Sequence, residues 1–206
     1  MKKFLLLVCF CFAGAAIGQE CLNVDYKIRG YFYAGTSMID TISPGGYYTA
    51  PNSPKIIPRF IRHYGVPKAF QIVVKTDETA PFTEKIAGFK VYVMNKSYEV
   101  VDLSAQDSRI NMVRQVFYEG TWKDVEYLPS SWCGNSYHTV YSKPDSYWEF
   151  IAPCFEGDIE ATFRFKLDVD GENTIYSNEF AGSFNIAQLT EEQGYTPQNI
   201  MDPYRN

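Results

Sequence analysis

ATFRFKLDV, residues 161–169, decides the fold. Phe163, Phe165, Leu167 and Val169 fall on one side of an extended chain, and Thr162, Arg164, Lys166 and Asp168 on the other. Successive side chains of a strand point to opposite faces, so this alternation specifies a strand with one face buried and one wet. A helix would scatter the same apolar residues around its circumference. Asp170-Gly171 follows, and a Gly that tolerates positive φ suits a tight hairpin turn. Thr174 to Phe180 is then the returning strand.

Similar signals recur upstream. Lys143 to Ser146 is a turn with Pro144 presetting φ, and Tyr147 to Ala152 runs extended to Pro153. Glu156-Gly157-Asp158 turns the chain into the deciding strand. Phe70 to Lys75 is a short apolar run, Asp77 to Pro81 reads as a loop, and Phe89 to Met94 alternates. Val101, Leu103 and Ala105 alternate with polar neighbours. Arg109 to Tyr118 is a further strand whose period slips at Val113–Arg114, as a bulge would make it. Trp122 to Leu128 comes after a Glu119-Gly120 turn. Downstream, Gly182 to Ile186 reads as a last strand and Ile186 to Gln193 as one or two helical turns.

Roughly eight to ten closely spaced strands with no long helical period predict an all-β, antiparallel sandwich over residues 65–190. Residues 19–64 hold strand formers from Val24 to Tyr33, then Ser43-Pro44-Gly45-Gly46 and Pro51, Pro54 and Pro58. This irregular, Pro-rich segment is expected to add strands to the same domain. Residues 191–206 read as a loose tail.

Residues 1–18 have the pattern of a signal peptide. Lys2 and Lys3 precede an apolar run from Phe4 to Ile17, and Ala16 and Gly18 suit cleavage before Gln19. The run is shorter than the ~20 residues that span a bilayer. Gln19 and Glu20 ahead of Cys21 argue against a lipid anchor. Losing Lys2 and Lys3 takes the 19 basic residues to 17, against 24 acidic ones, a net charge of about −7. Such a chain lacks the cationic field that binds nucleic acid or anionic lipid. The expected location is exported: periplasmic, cell-surface or secreted, with no membrane span after cleavage.

Export places Cys21, Cys133 and Cys154 where thiols oxidise. Three thiols allow three pairs. Cys133 and Cys154 are the disulfide candidates, closing a loop that would restrict the unfolded chain by about 3 kcal/mol. Cys21, near a terminus expected to move, is the thiol left over.

The runs SWCGNSYHTVYSKPDSYWEF (residues 131–150), FEGDIEATFRFKL (155–167) and IYSNEFAGSFN (175–185) carry a resemblance. With Cys133 to Tyr137, a Pro turn before an aromatic strand and an Arg-bearing strand, the C-terminal half resembles uncharacterised exported proteins typical of Bacteroidetes. The resemblance implies an immunoglobulin-like sandwich and an exported location. It supplies no reaction and no catalytic residue.

No catalytic constellation is visible, so the chain reads as a non-enzyme with no cofactor and no metal. His63 and His138 are too few for a His-built metal site. Cys133 and His138, five apart on an extended chain, face opposite sides. Asp168 to Asn173 has calcium-like oxygen spacing, but a hairpin turn explains it. Glu119, Asp124 and Glu126 are scattered acids with no evident pairing.

Aromatics make up 17% of the chain, with 16 Tyr and 15 Phe. Tyr47, Tyr48, Tyr141, Tyr147 and Trp148 are among the candidates for exposure, although most aromatics fill cores. Trp122, Trp132 and Tyr137 are the ligand-binding candidates. The predicted function is an exported binding module for a protein or glycan, with sugar stacking on exposed aromatics as the alternative and a glycan-active enzyme behind both.

Overall fold

The deciding segment forms one strand with its buried residues where the alternation puts them. In this computed structural model, which describes residues 19–129 and 133–193, Phe163, Phe165 and Leu167 are buried, and Thr162, Arg164, Lys166 and Asp168 face outward. Residues 1–18, expected to be a signal peptide, Trp132 and the end of the expected tail lie outside the described residues.

Fourteen strands occur among those residues. β1 (Ile28–Arg29) and β2 (Lys55–Ile56) are short. β3 (Phe70–Pro81) and β4 (Ala87–Asn95) form a long hairpin. β5 (Val101–Gln106), β6 (Arg109–Ile110), β7 (Met112–Tyr118), β8 (Thr121–Asp124) and β9 (Glu126–Tyr127) follow. β10 (Tyr137–Ser142), β11 (Ser146–Pro153), β12 (Ile159–Asp168), β13 (Thr174–Tyr176) and β14 (Phe180–Phe184) complete the chain. The described residues hold no α-helix, only 3₁₀ turns at Gly134–Ser136 and Ile186–Leu189.

The fold is all-β and mainly antiparallel. One sheet runs β2-β11-β4-β3, and another runs β13-β12-β7-β8 with β14 beside β13 on β12. β10-β5-β6 forms a third sheet, and β1 pairs in parallel with β9. Val91 and Val93 of β4, Trp148 and Phe150 of β11, and Phe165 and Leu167 of β12 share one buried cluster with Phe32. Layers that bury their facing sides together are consistent with a β-sandwich.

Three local expectations change. The bulge expected at Val113–Arg114 is absent: β7 pairs with β12 in unbroken register from Met112 to Phe117. Alternation holds there, and Arg114 occupies an inward position. Asp77 to Pro81 is strand rather than loop, with a register shift between Lys75 and Thr79. That irregularity turns Glu78 toward two tyrosines. Tyr64 Oη donates to Glu78 Oε1, and Tyr92 Oη donates to Oε2 at 2.6 Å. The Glu78 hydrogen bond pushes the Tyr64 hydroxyl up to about 12.

The third change is the disulfide. Cys154 bonds to Cys21, with Cα atoms 4.8 Å apart, and Cys133 stands outside the bridge. The expected Cys133–Cys154 pair treated Cys21 as part of a moving terminus. Instead Leu22 N donates to Cys154 O at 2.7 Å, and Glu156 N donates to Leu22 O at 3.1 Å. Those bonds hold Cys21 beside Cys154.

The Pro-rich segment is equally integrated. Ile57 and Ile61 pack on Tyr92, Met94 and Tyr147, covering the outer face of the β2-β11-β4-β3 sheet.

Candidate functional site

A groove of about 800 Å³ opens where three chain segments meet. Tyr33, Tyr47 and Tyr48 supply its aromatic lining, and Arg29, Asp107 and Arg109 its charged groups. Tyr33 and Tyr48 meet edge to face with centroids 6.4 Å apart, and Tyr48 is 56% exposed.

The wall is the two-residue turn from β5 to β6. Gln106 pairs with Arg109, so Asp107 and Ser108 form the whole loop. Both take positive φ, 47° and 65°. This twist suits a tight hairpin, yet non-Gly residues adopt it only at a cost of about 1–3 kcal/mol each. Bonds from the neighbouring segments hold it. Asp107 N donates to Ser136 O at 2.8 Å, and Asp107 Oδ1 accepts from Tyr48 N at 3.0 Å. Ser108 Oγ donates to Tyr48 O at 2.8 Å and accepts from Ala50 N at 3.0 Å. Thus the strained turn fixes the backbone that carries Tyr47 and Tyr48. Gly45 and Gly46, at φ 76° and 89°, let the chain bend in before these tyrosines.

His138 serves the same turn. Ser108 N donates to His138 Nε2 at 2.8 Å, and Tyr47 stacks on the imidazole at 3.8 Å. Burial pushes its pKa down. With Nε2 accepting, the proton belongs on Nδ1, and the lone pair a general base would use is engaged. Arg109 is buried, and its Nη2 donates to Gln106 Oε1 at 2.8 Å and to Pro129 O at 3.1 Å.

The predicted binding residues separate. Tyr137 lies opposite Gln106 in the β10–β5 pair, beside the groove, and is 48% exposed. Trp122 lies elsewhere, on β8. The Arg164 guanidinium stacks on it at 4.1 Å and on Tyr176 at 3.7 Å, covering one face of the indole. Trp132 is outside the described residues. Trp148 is buried, its Nε1 donating to Gly35 O at 2.9 Å.

The acids are also dispersed. Glu119 pairs with Lys123 at 2.8 Å and Asp124 with Lys166 at 3.1 Å, while Glu126 is buried against Arg114. Asp170 accepts from Glu172 N and Asn173 N, closing the hairpin turn with the oxygen a cation would use. His63 is exposed and packs against Tyr64. Among the described residues no three metal-capable side chains gather, and no helix is long and apolar enough to cross a membrane.

Sequence reasoning missed Tyr33, Arg29 and Arg109, which sit in strand-like runs, and it had no means of joining residues 33, 48 and 107. The usable signal was Gly45-Gly46-Tyr47-Tyr48, a bend followed by paired aromatics. Comparisons with protein-family models, curated proteins and solved structures give no match to this chain.

Proposed function

We propose that this chain is an exported, non-catalytic binding module whose tyrosine-lined groove takes a carbohydrate. The observation that carries this reading is the strained Asp107–Ser108 turn, bonded on every side and spent on positioning Tyr47 and Tyr48. Backbone strain concentrates where a fixed surface is useful. Tyrosine rings offer sugars an apolar face and a hydroxyl. The engaged His138 and the dispersed acids favour binding over catalysis.

The Cys21–Cys154 bond supports export, because such bonds persist in oxidising compartments. An immunoglobulin-like arrangement of the sheets belongs to the same proposal, supported by the antiparallel hairpins and their common core.

Binding to an array of immobilised glycans tests the reading. Wild type and Trp122→Ala should bind the same glycans, and Tyr48→Ala should lose them. An array without hits, or one unaffected by Tyr48→Ala, would remove the sugar reading.

One observation favours a protein ligand as the second reading. Asp40 accepts from Ile42 N, Ser43 N and Thr139 N, and the loop it anchors shows Ile39 at 83% and Ile42 at 90% exposure. Rigidly held exposed isoleucines suit a protein contact. Binding lost in Ile39→Ser with Ile42→Ser, but kept in Tyr48→Ala, would favour it.

A further inference from the structure

A second cavity, of about 170 Å³, enters the core at the far side of the strand irregularity in β3. Thr76 and Ala181, both exposed, form its rim. Phe89, Phe163 and Phe180 form its walls, and Arg114, 1% exposed, reaches it from β7.

The donors of Arg114 are nearly all committed. Nη2 donates to Tyr31 Oη at 3.1 Å and to Pro153 O at 2.9 Å. Nε lies 3.3 Å from Glu126 Oε1 as an ion pair, without hydrogen-bond alignment. The guanidinium stacks on Phe155 at 3.9 Å. Nη1 donates to none of the described residues and, unlike Nε, is not sealed from water, so it is the donor that an occupant of the cavity can reach. A charged donor that opens only into a largely apolar cavity favours an occupant with an acceptor placed there.

We propose that this cavity binds a small, neutral, largely apolar molecule bearing one oxygen acceptor, with the ring among the phenylalanines and the oxygen at Arg114 Nη1. Size fits, since an apolar cavity of about 150 Å³ takes benzene. Neutrality follows from Glu126, which already balances the guanidinium. A ligand carboxylate would add a second buried negative charge with no cation of its own.

Titration of the isotope-labelled protein with benzyl alcohol, toluene and benzoate, followed by amide chemical shifts, tests this. Benzyl alcohol should give saturable shifts around Thr76 and Ala181. It should bind about threefold to tenfold more tightly than toluene, the worth of one net hydrogen bond, and more tightly than benzoate. Ala181→Trp, and separately Thr76→Trp, should abolish those shifts while the thermal midpoint stays near wild type. Shifts that do not saturate, toluene binding as well as benzyl alcohol, benzoate binding best, or binding that survives both rim variants would overturn the proposal.

Discussion

His138 stays neutral because its Nε2 accepts the Ser108 N–H and burial penalises the charged ring. Protonation would set one N–H against another. The unfolded histidine titrates near 6.5, whereas the folded one titrates lower. Between those values the unfolded chain binds a proton that the fold refuses. This contribution to stability is therefore complete above about pH 6.5 and is lost as pH falls toward the folded value. Urea midpoints at pH 7.5 and 5.5 should differ more for wild type than for His138→Gln. Equal differences would show that the ring titrates without consequence. Ser108→Ala should cost about 1–3 kcal/mol in urea unfolding, because it strands the buried Ala50 N–H. Neither role was legible in the sequence. His138 and Ser108 are 30 residues apart, and Asp107-Ser108 lacks the glycine that would have marked so tight a turn.

β7 and β12 show why some elements are readable and others are not. In β12 every inward residue from Phe163 to Leu167 is apolar, so its period survives as a pattern of oil and water. In β7 the inward row is Met112, Arg114 and Val116, and the Arg imitates a slip. Its justification lies on β9, where Glu126 Oε2 accepts Arg114 N at 2.9 Å and Oε1 accepts Tyr31 Oη at 2.9 Å. Burial pushes the Glu126 carboxyl up, and Arg114 with Tyr31 draws it back. Removing one member of a buried pair leaves the other charge uncompensated. Glu126→Ala should accordingly cost about 3–5 kcal/mol. Tyr31→Phe, which removes one hydroxyl, should cost about 1–3 kcal/mol. Chemical denaturation of both variants checks the order, and a smaller loss for Glu126→Ala would contradict it.

Across the molecule, the all-β class and the hairpin at Asp170-Gly171 were readable from local chemistry. The disulfide partner was not, because its register is set by Leu22 bonding to Cys154 and Glu156 while Glu20 bonds to Lys85 and Ala87. The Cys21–Cys154 bridge spans 133 residues, and a loop of that length restricts the unfolded chain by about 5 kcal/mol on the chain-entropy account. The chain beginning at Gln19 should show one titratable thiol when denatured without reductant and three after reduction. Cys21→Ser should lower the urea midpoint by as much as reduction does, whereas Cys133→Ser should keep the reductant-sensitive step. The functional claim also lives at this scale, since the groove exists only where residues 29–33, 46–48 and 106–109 converge. An amide-shift titration with the oligosaccharide that binds most tightly on the array tests that claim most directly. Perturbation centred on Tyr33, Tyr48 and Asp107 is the predicted result; perturbation centred on Trp122 and Tyr176, with the groove silent, would contradict it.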